Sequence, residues 1–390
     1  MKKIILIFQL LLFVLPTMGL HAQIVSDTVN NNAGDLGNIL GVRIDSISNL
    51  TLTGSINGTD IGILRSMSRL IMLDMSNANI VSGGHFFTNS STIFVTDNTI
   101  PIFMFYEIRG IQIVILPKTI TTIEYGAFIR CNELKSITIP EGVTSIGQNA
   151  FLSCWRLTSI FIPSSLISYS ADAFPETGIT EFIISKNDTI HSTLDGVLFN
   201  KNKSKILLYP YARSNEYTIP DSVTTIGDGA FAGCRNLSKI ILPNSIISIE
   251  DNAFSNCFGL TSISIPSGVT EIRDSVFNGC SALSIVIMPK TINSIGKYSF
   301  AHCSKLFPLS VPSNLKSIGE GAFLYCTRAI SLNIPDSVEY IGDYAFNSCT
   351  GLTSATLPKN LQRIGNGIFS NCTSLQSIIQ VSQVKSRPPL

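Results

Sequence analysis

Nine cysteines are the residues best equipped for chemistry in this 390-residue chain, and their spacing decides which chemistry is open to them. Thiols can pair as disulfides, ligate zinc as thiolates or act as nucleophiles. Cys131 and Cys154 lie 23 residues apart, and Cys234, Cys257, Cys280, Cys303, Cys326, Cys349 and Cys372 follow at the same interval. The closely spaced CxxC pairs that zinc sites use do not occur. Side chains repeated at one interval point in parallel, which strains the dihedral a disulfide needs. The same slot also accepts Ile108 and Thr177. The cysteines therefore read as buried free thiols at a packing position. Histidine adds little, since His21, His85, His191 and His302 are scattered, and His85 and His191 read as exposed loop residues. No GxSxG, phosphate-loop or HExxH motif is present. No catalytic residue, cofactor or metal site is assigned, and the chain reads as a non-enzyme.

What positions these residues is a repeat. Prolines stand at Pro117, Pro140 and Pro163, then at Pro220, Pro243, Pro266, Pro289, Pro312, Pro335 and Pro358, and a Phe follows each of them eleven residues later. The unit is PxxVxxIGxxAFxxCxxLxxIxI, which residues 140–162 match throughout. Its last stretch, with Leu157, Ile160 and Ile162, alternates apolar and polar residues as a half-buried strand does. The next proline lacks an N–H, so it ends the ladder and turns the chain outward. The IGxxAFxxC half then returns over the other side as turns or a single helical turn, with Ala and Phe inward. A unit this small cannot bury its apolar face alone, so units must stack, with strands about 4.8 Å apart and equivalent side chains aligned. The expected architecture is an α/β-type repeat solenoid with one short parallel strand per 23-residue rung, mostly β and loop. Its spine is a phenylalanine ladder from Phe105 to Phe369.

The departures from the repeat mark out the rest of the chain. Residues 1–22 read as a secretory signal peptide, with Lys2, Lys3, an apolar run from Ile4 to Leu15, and Ala22 at the cleavage point. Residues 23–100 read as an N-terminal cap whose atypical rungs are carried by Ile47, Leu50 and Leu52 and, 23 residues on, by Leu70, Leu73 and Met75. The stretch over residues 81–104 reads as an irregular excursion, and the solenoid proper spans 101–379. Between Pro163 and Pro220 there are 57 residues where two units need 46. Asp195–Asn200 and Lys205–Pro210, joined by a polar turn, read there as a hairpin inserted at about 186–212. Residues 380–390 read as a tail at which a longer protein is cut.

With 27 basic and 26 acidic residues there is no basic stripe for nucleic acid or anionic lipid. Partners must be met by the variable, outward strand positions, because the invariant ones form the core. That face is mostly small and hydroxylic, with apolar islands that a partner could cover. The candidate ligand-binding residues are Phe161, Lys239, Ile241, Ile285, Ile287 and Asn333. Asp-Ser-Val at Asp221, Asp274 and Asp336 resembles short bacterial O-glycosylation sites, but Asp and Ser also suit a turn beside the repeat proline.

The unit IPxxVxxIGxxAFxxCxxLxxI, over roughly residues 100–379, resembles the BspA-like, or treponemal-type, bacterial leucine-rich repeat. The stretches Leu50–Asp60 and Leu73–Gly84 are similar to the leader region of such proteins. The resemblance implies a leucine-rich repeat solenoid and an extracellular or surface-exposed protein, some of whose relatives are adhesins. It transfers no functional residues, because the shared motif is core. The expected function is non-enzymatic binding to a host or bacterial surface protein or glycan, with no cofactor, no nucleic acid and no membrane segment after signal cleavage. The alternatives from other classes are a passive structural or decoy surface protein and an accessory module of a longer enzyme.

Overall fold

The apolar alternation at the end of each unit becomes a strand, and the Ile-Gly step near its start becomes a second, shorter one. In the unit beginning at Pro140, Ser145–Ile146 and Ser159–Ile162 are the two strands, with turns between them. Each turn of the solenoid thus adds a two-residue strand to the one expected. The structure is a computed structural model that describes residues 24–88, 91–308 and 311–380. The signal peptide expected over residues 1–22, and residues 381–390 of the expected tail, lie outside the described residues.

Both strand types stack in parallel. Ser26–Asn31, Asn49–Ile56, Met72–Ile80, Ile113–Ile115 and Ser136–Thr138 form one sheet. Ser26 is opposite Asn49 and Asn49 opposite Met72, so the 23-residue step begins one rung before Ile47. The short strands Thr99–Ile100, Thr122–Ile123, Ser145–Ile146 and Ser168–Tyr169 form a second ladder. The region over residues 81–104 is therefore more ordered than its composition suggested. It holds the antiparallel hairpin His85–Phe87 with Thr92–Phe94, and the period resumes at Thr99 rather than at Phe105.

In the first rungs the return side is helical. Asn57 caps the helix Gly58–Ser66, accepting from the N–H groups of Thr59 and Asp60. The Asp60 carboxylate is fully buried and accepts from the backbone N–H groups of Asn57 at 2.9 Å, Gly34 at 2.7 Å and Leu36 at 3.0 Å. One side chain thus satisfies three donors, from two segments, that would otherwise be orphaned.

Farther along, the return side is turns, and each turn needs two residues with left-handed backbone. Four of these pairs are Gly229 and Gly233, Asn252 and Asn256, Tyr298 and His302, and Tyr344 and Ser348. Gly and Asn take this conformation at little cost, whereas Tyr does not. At His302 the ring stacks on Tyr325 of the next rung, with centroids 4.8 Å apart. The turns aim Phe inward, where Phe231, Phe254, Phe277, Phe300, Phe323 and Phe346 stack at 5.1–5.5 Å and lie within 19° of parallel. Each Phe N–H donates to the carbonyl of the residue before the next Phe, as from Phe231 to Ala253 and from Phe323 to Ala345.

The cysteines complete the rung. Eight are buried and Cys372 is half-buried, all as free thiols. The thiol of Cys154 donates to the carbonyl of Phe128 at 3.1 Å, and Cys257, Cys280 and Cys303 reach Phe231, Phe254 and Phe277 in the same way. Burial pushes the thiols of Cys154 and Cys349 up to about 12 and those of Cys131 and Cys326 well above the ordinary value. These groups are packing residues held in their neutral form.

The insertion breaks this pattern. His191–Leu194, Val197–Asn200 and Lys205–Leu208 form an antiparallel meander, and Lys205–Leu208 then pairs in parallel with Thr225–Ile226 to restart the short ladder. The Phe spine does not pass through. Phe174 meets Phe182 edge-on, and Tyr209 takes the next inward slot, stacked on Phe231 at 4.9 Å. His191 is buried rather than in an exposed loop. Its Nδ1 lies 3.0 Å from Oδ2 of Asp188, which also accepts from the N–H groups of Ile190 and His191. Burial pushes the Asp188 carboxyl up, but these donors outweigh it and hold the group below its usual value.

Every ladder is interrupted at this place. Glu181–Ile184 ends one long-strand sheet and Glu216–Thr218 opens the next, while Ser168–Tyr169 ends the short ladder before Lys205–Leu208. Among the described residues, two backbone hydrogen bonds join residues up to Ile184 with those from His191 on. They run from Ala212 N–H to Ile179 and from Phe182 N–H to Gly196. The buried side chains divide accordingly into a cluster from Val29 to Leu208 and another from Val197 to Ile368 that overlap only in the meander. We call this boundary the seam.

Candidate binding face

The long strands bury the middle residue and expose its two neighbours, so each contributes two outward positions. Register makes these into rows. Glu216, Lys239, Ser262 and Ile285 form one row, and Thr218, Ile241, Ser264 and Ile287 the other. Ile241, Ile285 and Ile287 are 49%, 51% and 61% exposed. Neighbouring strands are about 4.8 Å apart, so Ile241 and Ile287 flank Ser264 with a separation near 10 Å. Lys239 reaches Glu216 across the strands at 3.6 Å, an exposed pair of little energetic weight.

Four of the six sequence-derived residues, Lys239, Ile241, Ile285 and Ile287, therefore share one sheet. Phe161 belongs to the sheet before the seam, where it is half-buried opposite Ile183. Asn333 is exposed on a third sheet, formed by Ser331–Asn333, Ser354–Leu357 and Ser377–Gln380. Ser310, another outward position of the repeat, lies outside the described residues. Sequence spacing alone does not reveal Ile183, because the rung before it has lost a residue and the strand no longer falls where the period places it.

Other notable groups lie elsewhere. His85 sits on the exposed side of its hairpin between Phe87 and Phe94, at 4.9 and 5.9 Å. His302 is exposed at a turn, and no cluster of three or more potential metal ligands occurs among the described residues. In Asp221-Ser222-Val223 the first two residues are exposed and the valine is core. Among the described residues no helix is long and apolar enough to cross a membrane.

Two clefts flank the seam. One, of about 280 Å³, lies beside the short strands and is lined by Ser168, Tyr169, Lys205, Asp228 and Glu250 among others. Lys205 spans it to both carboxylate oxygens of Glu250 at 2.7 Å. Burial, aided by Glu250 and Asp228, pushes the Tyr169 hydroxyl up to about 12. The other, of about 350 Å³, opens on the turn side.

A stack of parallel strands with one turn per rung, closed around ladders of Ile, Leu, Phe and Cys, defines a leucine-rich repeat solenoid. The chain belongs to the family described as BspA type leucine rich repeat region, whose model matches residues 86–204, 208–329 and 271–388. Among solved structures it is similar to a leucine-rich repeat protein of Eubacterium ventriosum, with 20% identity over 90% of this chain and 91% of that one and a TM-score of 0.54. This likeness establishes the fold alone. A leucine-rich repeat protein of Bacteroides ovatus matches with 23% identity over 90% and 86% of the two chains, at a TM-score of 0.46. A leucine rich cell surface protein of Faecalibacterium prausnitzii matches with 21% identity over 91% and 83%, at a TM-score of 0.44. No curated protein matches significantly.

Proposed function

We propose that this chain is a surface or secreted binding protein that holds a partner protein against the strand face formed by Glu216–Thr218, Lys239–Ile241, Ser262–Ser264 and Ile285–Ile287. The observation that carries this reading is the exposure of Ile241, Ile285 and Ile287 on one in-register sheet, at positions where the strands Ser136–Thr138, Ser262–Ser264, Ser331–Asn333 and Ser354–Leu357 carry Ser, Thr or Asn. Isolated exposed isoleucines need no explanation, but three within a span of three rungs, on either side of Ser262 and Ser264, offer an apolar surface with a polar rim, Lys239 and Glu216 among it. Membership of a repeat family whose recurring positions are core supports binding over catalysis, since the outward strand positions are what differ from rung to rung of this chain. The signal peptide expected at residues 1–22 supports export, and a surface protein of this family would meet host or bacterial surface proteins there.

The test is binding of residues 23–390 to an array of host matrix and bacterial surface proteins, repeated with Ile285→Asp plus Ile287→Asp. Both side chains point to solvent, so the double variant should keep its circular dichroism spectrum and melting temperature while losing a saturable partner. A partner bound equally well by the variant would remove this face from the site. A protein array without any saturable partner would favour the passive structural role.

A further inference from the structure

The turn-side cleft at the seam carries a pattern that the rest of the solenoid lacks. Its position follows from the interruption of the ladders: the turn of Asp172–Gly178 is hydrogen-bonded to the preceding rung at Asn149, Phe151 and Ser153 but has no regular neighbour on its other side, where Tyr211 from the end of the insertion stands. The cleft, about 350 Å³, is lined by Asn149, Asp172, Glu176, Tyr211, Arg235 and Phe258, with Asn256 beside them. This is within the lower part of the range of small-ligand sites.

The residue that follows the cysteine in each unit identifies the cleft independently. Away from the seam this slot holds Asn132, Ser281, Ser304, Thr327, Thr350 and Thr373, all small and polar. Next to the seam it holds Trp155, Arg235 and Phe258, with Trp155 half exposed and Phe258 at 39%. The backbone of this slot repeats from rung to rung, so the fold does not require large rings here. Of these large side chains, Arg235 and Phe258 line the cleft. The Tyr211 ring lies beside the backbone of Gly233, within van der Waals reach of it.

The polar groups complement the rings. Arg235 pairs with Glu176 at 2.5 Å while its guanidinium sits 5.2 Å from the centre of the Phe258 ring. Glu176 also accepts from Ser153 Oγ at 2.8 Å. Asp172 offers acceptors, and Asn149 and Asn256 offer donors and acceptors both. With two carboxylates against one guanidinium the lining disfavours phosphate, sulfate and other anions. An occupant must present flat apolar faces to Tyr211 and Phe258 and alternate donors with acceptors around its edge.

We propose that the turn-side cleft binds a short uncharged saccharide, whose C–H faces pack on Tyr211 and Phe258 and whose hydroxyls meet Asp172, Asn149, Asn256 and Arg235. Aromatic rings supply such faces while planar polar side chains fix the orientation. The site is separate from the strand face and independent of it.

The experiment is a glycan array of neutral mono- to tetrasaccharides with sialylated and sulfated counterparts, followed by calorimetric titration of the best neutral binder. Three variants decide the outcome. Phe258→Ser installs the residue that Ser281 already places in the same slot, so the fold is preserved, and it should weaken binding at least tenfold. Tyr211→Ala should do the same, while Ile285→Asp plus Ile287→Asp should leave saccharide affinity unchanged. Failure of every neutral saccharide to bind saturably, binding confined to anionic glycans, or equal affinity in folded Phe258→Ser would each overturn the proposal.

Discussion

Replacing Phe277 by Ala tests the packing argument on which the architecture rests. The side chain is fully buried, with Phe254 stacked 5.5 Å away on one side and Phe300 5.3 Å away on the other. Burial of the ring is worth about 1.5–3 kcal/mol, and each aromatic pair adds about 0.5–1.5 kcal/mol. Both neighbours are held by their own turn hydrogen bonds, from Phe254 N–H to Val276 and from Phe300 N–H to Ala322. They cannot collapse fully into the space, so a cavity remains. The expected loss is about 4 kcal/mol, near the middle of the range for buried aromatic truncation, or roughly a thousandfold in the folding constant. Urea unfolding should be followed by far-ultraviolet circular dichroism and, separately, by the fluorescence of Trp155, the sole tryptophan. Phe277 belongs to the cluster after the seam, whereas Cys154 and Leu157, next to Trp155, belong to the one before it. The circular dichroism midpoint should fall, while the tryptophan transition stays closer to that of the parent protein. A loss below about 1 kcal/mol would refute the spine argument, and equal displacement of both probes would refute the insulating role of the seam.

Alkali should weaken the fold through the thiols. Cys154 and Cys349 are raised from 9.0 to about 12, so the folded state favours the protonated form; their contribution is complete below the ordinary value and is lost as pH rises toward 12. Each should cost about 1.4 kcal/mol per pH unit in that window, and unfolding midpoints unchanged between pH 8 and pH 10 would contradict the burial of these groups. Asp60→Ala should cost about 3–5 kcal/mol, because it strands three backbone N–H groups where a buried carboxylate now accepts from them. Thermal melts against Asp60→Asn, which keeps part of the acceptor capacity, check this.

The sequence made the repeat legible because packing slots recur at fixed spacing, and Phe151, Cys154 and Leu157 each stand where the unit places them. Other features were illegible for physical reasons that can be named. The Ser145–Ile146 strand is too short to show an alternation. Ser26–Asn31 has Val29 as its buried apolar residue, so a rung made by backbone pairing leaves little hydrophobic trace. His191 looked like a loop residue because its partner Asp188 lies three positions away in a turn rather than in a periodic slot. Tyr209 was hidden because an aromatic of another type fills the Phe slot out of phase with the period. For the candidate site, the alternation of the strands located Ile241, Ile285 and Ile287. The seam cleft required knowing that Tyr211 crosses a gap, although comparing the residue after each cysteine would have singled out Trp155, Arg235 and Phe258.

The seam also has a mechanical meaning. When a stack of this kind is pulled along its axis, tension is carried wherever successive rungs share backbone hydrogen bonds side by side. Over most of the length those bonds act in parallel and must yield together. At the seam, two backbone bonds, the Arg235–Glu176 ion pair and the apolar packing of Leu198 and Leu208 join the halves, backed by the covalent loop of the insertion. Axial load would open this joint before the regular rungs, with the covalent chain of the insertion still linking the halves.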